Sequence, residues 1–103
     1  MGESGASVGS NFRHGAVLVR AAGDFDVATL PILAQALARA STAALDVQLD
    51  LSGVTFFDAA SLGVLVGARR SLAEDGRTFT IVNPTHGLTR LLKITELESL
   101  LAA

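Results

Sequence analysis

Apolar residues recur along this chain with two periods, and the change from one to the other marks out its elements. In Asp46-Val-Gln-Leu-Asp-Leu51 every second residue is apolar, with Val47, Leu49 and Leu51 on one side and three polar residues on the other. That is the pattern of a strand with one buried face. Thr78 to Val82 alternates similarly through Phe79 and Ile81. Strands buried on both faces read as continuous apolar runs, so alternation predicts a sheet covered on one face and partly wet on the other. Ala16-Val-Leu-Val-Arg20 is a further short, β-branched strand, and His14-Gly15 can turn a hairpin into it from a weaker strand around Ser10 to Arg13.

The period lengthens after Thr29. Leu30, Leu33, Leu37 and Ala40 follow at helical spacing, with Gln35 and Arg39 outside the apolar face. Thr29 is the expected N-cap, and Pro31 suits the first turn because its missing N–H would have no intrahelical partner there. A second helix opens near Asp58, carries Ser61 in its first turn and stops at Asp75-Gly76. Thr85 caps a third helix with Leu88, Leu91 and Leu92, and Thr95 offers a cap for a final turn. Gly23-Asp-Phe-Asp26 is expected to break the strand before it, the central strand to end at Leu51, and Gly23, Gly53 and Gly76 to be turn glycines. The order is β-β-α-β-α-β-α plus a final turn, and its strand–helix–strand steps imply right-handed parallel crossovers. The fold class is α/β: a single domain with a mixed β-sheet of about four or five strands and helices mainly on one face.

Composition narrows the rest. The chain has 103 residues, half of them hydrophobic and 17% charged, enough for one core. With no cysteine there is no disulfide framework or cysteine-ligated zinc. The net charge of -2 and the absence of Trp and Tyr argue against nucleic-acid binding. Residues 1–10 read as a flexible Gly/Ser-rich arm without signal-peptide character, and residues 11–103 as the domain. The longest apolar run, Leu62 to Ala68, is too short to cross a bilayer, so a cytoplasmic protein without membrane insertion is expected. His14 and His86 lack metal-ligand spacing, no nucleophile elbow occurs, and Lys93 is the only lysine, far from any phosphate loop. No catalysis, cofactor or metal is expected.

Three segments together resemble the STAS domain family of the anti-sigma factor antagonist, partner-switching type. Gly23-Asp-Phe-Asp-Val-Ala-Thr29 is similar to the loop that leads into the family's first helix. Asp50 to Gly67, with Asp58-Ala-Ala-Ser-Leu-Gly63, is similar to its central strand, aspartate, two small residues and helix. Ile81-Val-Asn-Pro84 with Leu91-Leu-Lys-Ile-Thr95 resembles its closing segment. The resemblance runs from about Phe12 to Leu101. It implies a bacterial regulator, not an enzyme, that binds an anti-sigma factor with a GHKL-type serine kinase fold and frees a sigma factor. In such systems the kinase phosphorylates the antagonist's serine and a PP2C-type phosphatase resets it.

The position of the family's acceptor serine is here Ala60, which has no hydroxyl. Ser61 is either a displaced phosphorylation site, or a first-turn residue of an antagonist outside kinase control. One residue of shift rotates a helical side chain by about 100°. The partner-binding surface is expected to comprise Asp26, Phe57, Asp58, Ser61 and Leu62. Phe57 is an anchor if exposed and core if buried, and Phe56 should point the other way in an extended segment. Asp58 is at least the N-cap. The rival reading, which the alanine raises, is an unphosphorylated STAS subunit of a transporter or stress-signalling complex. A more distant one is a small-molecule sensor using the wet sheet face or a helix N-terminus. A homodimer is left open.

Overall fold

Two strand–helix–strand units advancing the same way across one sheet decide the architecture. The computed structural model describes residues 5–101, as β1 (Ala6–Arg13), β2 (Ala16–Phe25), α1 (Leu30–Ser41), β3 (Asp46–Phe57), α2 (Ala59–Glu74), β4 (Phe79–Val82), α3 (His86–Ile94) and a 3-10 turn at Glu98–Leu100. The sheet order is β1-β2-β3-β4, with β1 antiparallel to β2 and the other pairs parallel. Right-handed crossovers stepping in one direction put α1 and α2 on the same face. Val19, Leu49, Leu51 and Ile81 of that face pack with Leu33, Leu65, Leu72 and Leu92 of the helices, all fully buried. Each such side chain stabilises the fold by about 1.5–3 kcal/mol through burial. A lone bridge between Ile81 and Leu101 extends the sheet past β4.

The structure differs from the sequence reading in length more than in order. β2 runs on to Phe25 and β3 to Phe57, well past the expected breaks at Gly23 and Leu51. Their pairing continues because it shifts register twice, between Arg20 and Ala22 and between Gly23 and Asp24. Two of the presumed turn glycines sit at these irregularities. A Cβ on Gly23 (φ +95°) would lie 1.6 Å from the Gly5 carbonyl oxygen, and one on Gly53 would lie 3.0 Å from the Cβ of Ala22. They permit close approach of backbones at bulges; only Gly76 sits in a turn.

β1 likewise begins at Ala6, so residues 6–10 are strand and not the expected arm; residues 1–4, like 102–103, lie outside the described residues. The weakly apolar β1 is held by its hairpin. His14 and Gly15 both have positive φ and close a two-residue turn of the type that matches strand twist. Thr95 is also reassigned: its hydroxyl donates to the Leu91 carbonyl at 2.8 Å, at the end of α3, and caps no further helix.

On the open face, Asp50 is only 7% exposed despite its charge. Burial alone would raise its pKa, but hydrogen bonds from Ser52 and Asn83 and the nearby Arg20 guanidinium outweigh it and hold the carboxyl below the ordinary range. The Ser52 N–H lies 2.9 Å, the Asn83 side-chain nitrogen 3.2 Å and the Arg20 Nε 3.7 Å from the carboxylate oxygens.

Candidate functional site

β2 and β3 end side by side, and the first turns of α1 and α2 follow immediately, so the two loops form one surface at the carboxyl end of the parallel strands. Open α/β sheets commonly present their functional groups there. Thr55 of β3 donates its hydroxyl to the Asp24 carboxylate, and the Asp58 N–H donates to the Phe25 carbonyl at 3.3 Å, tying the ends together.

Each loop is fixed by its own aspartate. The Asp26 Oδ1 accepts from the N–H groups of Ala28 at 3.0 Å and Thr29 at 3.2 Å. The expected cap, Thr29, makes no capping bond of its own; its hydroxyl donates back to the Asp24 carbonyl at 2.9 Å and accepts from the Asp26 N–H at 3.0 Å. Asp58 caps α2 as expected, its Oδ1 accepting from the Ser61 N–H at 2.9 Å. Both carboxylates therefore do structural work and remain half-buried at the rim.

Ser61 is 0% exposed. Its hydroxyl has the Asp58 carboxylate at 3.0 Å and the Phe25 carbonyl at 3.3 Å as acceptors, facing the protein. Leu62 is in the core. Ser61 and Leu62, both expected on the docking surface, are buried, and of the two readings of Ser61 this burial favours the first-turn residue. A phosphate on Ser61 would have to displace packed backbone and stand against Asp58. Ala60, one position earlier, is exposed.

Phe57 is half-buried, between the two alternatives, and packs against the core. Its ring lies 6.3 Å from that of fully buried Phe25 at an angle of 54°, an attractive tilted arrangement. Phe56 points away and is 53% exposed, over an open groove of about 180 Å³ between the end of β3 and α3 that Leu88 and Leu91 also line. Val27, in the loop before α1, is 73% exposed, and Ala28 in the same loop and Ala59 and Ala60 at the start of α2 are exposed as well. The sequence pointed to the aromatic pair but not to which ring faces out. Nothing in the sequence singled out Val27; its position directly after Asp26, where no strand or helix claims it, was the available signal. This end of the molecule thus carries both exposed apolar side chains and three acidic residues, Asp24, Asp26 and Asp58. Among the described residues, no set of acids and histidines gathers into a metal site.

Residues 8–102 match the family profile described as Mlab, STAS domain. The chain belongs to the STAS domain family. An anti-sigma-B factor antagonist of Bacillus subtilis is 29% identical over 85 residues, covering 82% of this chain and 78% of the relative. One of Staphylococcus epidermidis is 30% identical over 84 residues, covering 81% and 78%. The crystal structure of an anti-sigma factor antagonist from Mycobacterium paratuberculosis superposes with a TM-score of 0.84 at 23% identity, covering 93% of this chain and 82% of that one. The STAS fold expected from the three sequence segments is therefore present in full, including its mixed sheet. No helix among the described residues is long and apolar enough to cross a membrane.

Proposed function

We propose that this STAS domain is an anti-sigma factor antagonist that docks through the carboxyl end of β2 and β3, and that phosphate on α2 does not control it. The observation that carries this reading is that Val27, Ala28, Phe56, Ala59 and Ala60, all near the carboxyl ends of β2 and β3, are exposed apolar residues in a stretch that also carries Asp24, Asp26 and Asp58. An exposed patch with a polar rim is the mark of an interaction site. The partner is an anti-sigma factor, of the GHKL-type serine kinase fold that the family resemblance implies, with a basic border to its docking surface. A PP2C-type phosphatase then has no substrate in the first turn of α2, since Ala60 has no hydroxyl and that of Ser61 is buried.

The test mixes the purified chain with its candidate anti-sigma factor and ATP, and records complex formation and intact mass. Binding without a phosphate adduct is expected, and Val27→Asp should weaken it at least tenfold by leaving a desolvated carboxylate in an apolar part of the interface. Ala60→Ser should restore an acceptor, giving an adduct and loss of the complex on phosphorylation. A phosphate found on Ser61 of the wild type would overturn the control scheme. Failure to bind any such factor would overturn the antagonist reading. It would favour a constitutive STAS subunit of a transporter or stress-signalling complex, a reading also supported by alanine at position 60.

A further inference from the structure

The outer edge of β1 carries backbone groups, those of Val8, Ser10 and Phe12, that meet no hydrogen-bond partner among the described residues. Arg13 and Ala16 close the two-residue turn, and the Gly5 carbonyl accepts from the Asp24 N–H at 3.0 Å. Odd-numbered residues of β1 thus direct their backbone groups to β2. Those of Val8, Ser10 and Phe12 point away from the sheet and have no partner among the described residues. Folded proteins blunt such edges with charge, proline or a covering segment. From Ser7 to Phe12 there is neither charge nor proline, and Phe12 is 72% exposed. The opposite edge needs no such protection, because β4 is only four residues long and Leu101 bridges onto it.

We propose that β1 pairs antiparallel with β1 of a second copy, about a twofold axis at Ser10, joining the two sheets into one. Only residues with outward backbone groups can form the closely hydrogen-bonded pairs, which restricts the register. A twofold at Ser10 sets Phe12 of each copy opposite the half-buried Val8 of the other, on the helix-bearing side, an aromatic–β-branched pair of the favourable kind. A twofold at Gly9 would set Phe12 opposite the methyl group of Ala6, and one at Val8 would set it beyond the start of the strand. On the open face the Ser10 register places Asn11 opposite Gly9 and Arg13 opposite Ser7, with no like charges facing. The area joined is small, so the dimer forms as a concentration-dependent equilibrium. This edge is distinct from the surface at the carboxyl ends of β2 and β3, and the inference does not depend on the antagonist reading.

The experiment measures the mass of the full chain by light scattering across a concentration series, with three variants. The wild-type mass should approach twice the monomer value as concentration rises. Ser10→Pro removes an outward N–H that β2 does not use, and should leave the circular dichroism unchanged and the mass monomeric throughout; Phe12→Lys should do the same without touching the backbone. The chain has no cysteine, so Ser10→Cys gives a single thiol about 5.5 Å from its mate between Cα atoms, within disulfide reach. Under mild oxidation it should cross-link, whereas Ser7→Cys, about 20 Å from its mate in this register, should not. A wild-type chain that stays monomeric, a dimer that Ser10→Pro and Phe12→Lys leave intact, or Ser7→Cys cross-linking as well as Ser10→Cys would each overturn the proposal.

Discussion

Ala60 and Ser61 are neighbours in the first turn of α2, yet the methyl faces solvent and the hydroxyl is sealed beneath it. The helical rotation between consecutive side chains makes that difference. Ser61→Ala should cost about 1 kcal/mol, one buried hydrogen bond, whereas Ser61→Asp should cost about 3 kcal/mol or more by setting a second carboxylate against Asp58 without water. Urea unfolding separates the two. Asp50 gives a pH-dependent test. Its folded pKa lies below that of an unfolded aspartate, about 3.9, so its contribution is fully present above that value and is lost as pH falls through the folded one. Asp50→Asn should therefore be less stable than wild type by a constant margin at neutral pH, and the margin should close as the pH drops below about 4. At this scale the sequence was legible wherever a residue's role is local, as for Asp58 as a cap. It was ambiguous where the role depends on which way a side chain turns, as for Phe56 against Phe57 and Ala60 against Ser61.

Elements were legible in kind and order, while their ends were set by tertiary pairing. At Gly23 the strands approach too closely for any side chain and at Gly53 a Cβ would be tight against Ala22, and a sequence pattern cannot tell a bulge from a turn. Gly23→Ala should therefore lower stability by about 2 kcal/mol, combining the unfavourable φ with the clash against Gly5, measurable as a drop in Tm. A second connection between elements is made by Arg77. Its Nη1 donates to the carbonyls of Ser41 at 2.7 Å and Leu45 at 3.3 Å, and its Nη2 to the Asp75 carboxylate at 2.9 Å. One planar guanidinium thus satisfies the carboxyl end of α1 and braces the turn after α2. Arg77→Ala should cost about 1–2 kcal/mol, and Arg77→Lys should recover only part of it, because an ammonium cannot span these acceptors in a plane. Denaturant midpoints of the two variants check this.

For the whole molecule, the one-sided helix layer follows from the chain passing from β2 to β3 to β4 in one direction, and this much the alternating strands foretold. The docking surface was less legible, since Val27 comes from the loop before α1 and Phe56 from the end of β3, and only the sheet brings those two segments to the same end of the molecule. The same sheet order bears on how the chain assembles. Strands lie side by side in the order in which they are made, so no later strand must wedge between two already joined. The β1–β2 hairpin, with contacts local in sequence, can close within microseconds, while each parallel addition waits for a helix to bring its strand around. Growth from the ribosome is then by accretion at a single advancing border. The border left behind, the outer side of β1, is the first to be exposed and the last to find a mate, waiting until a second finished chain arrives.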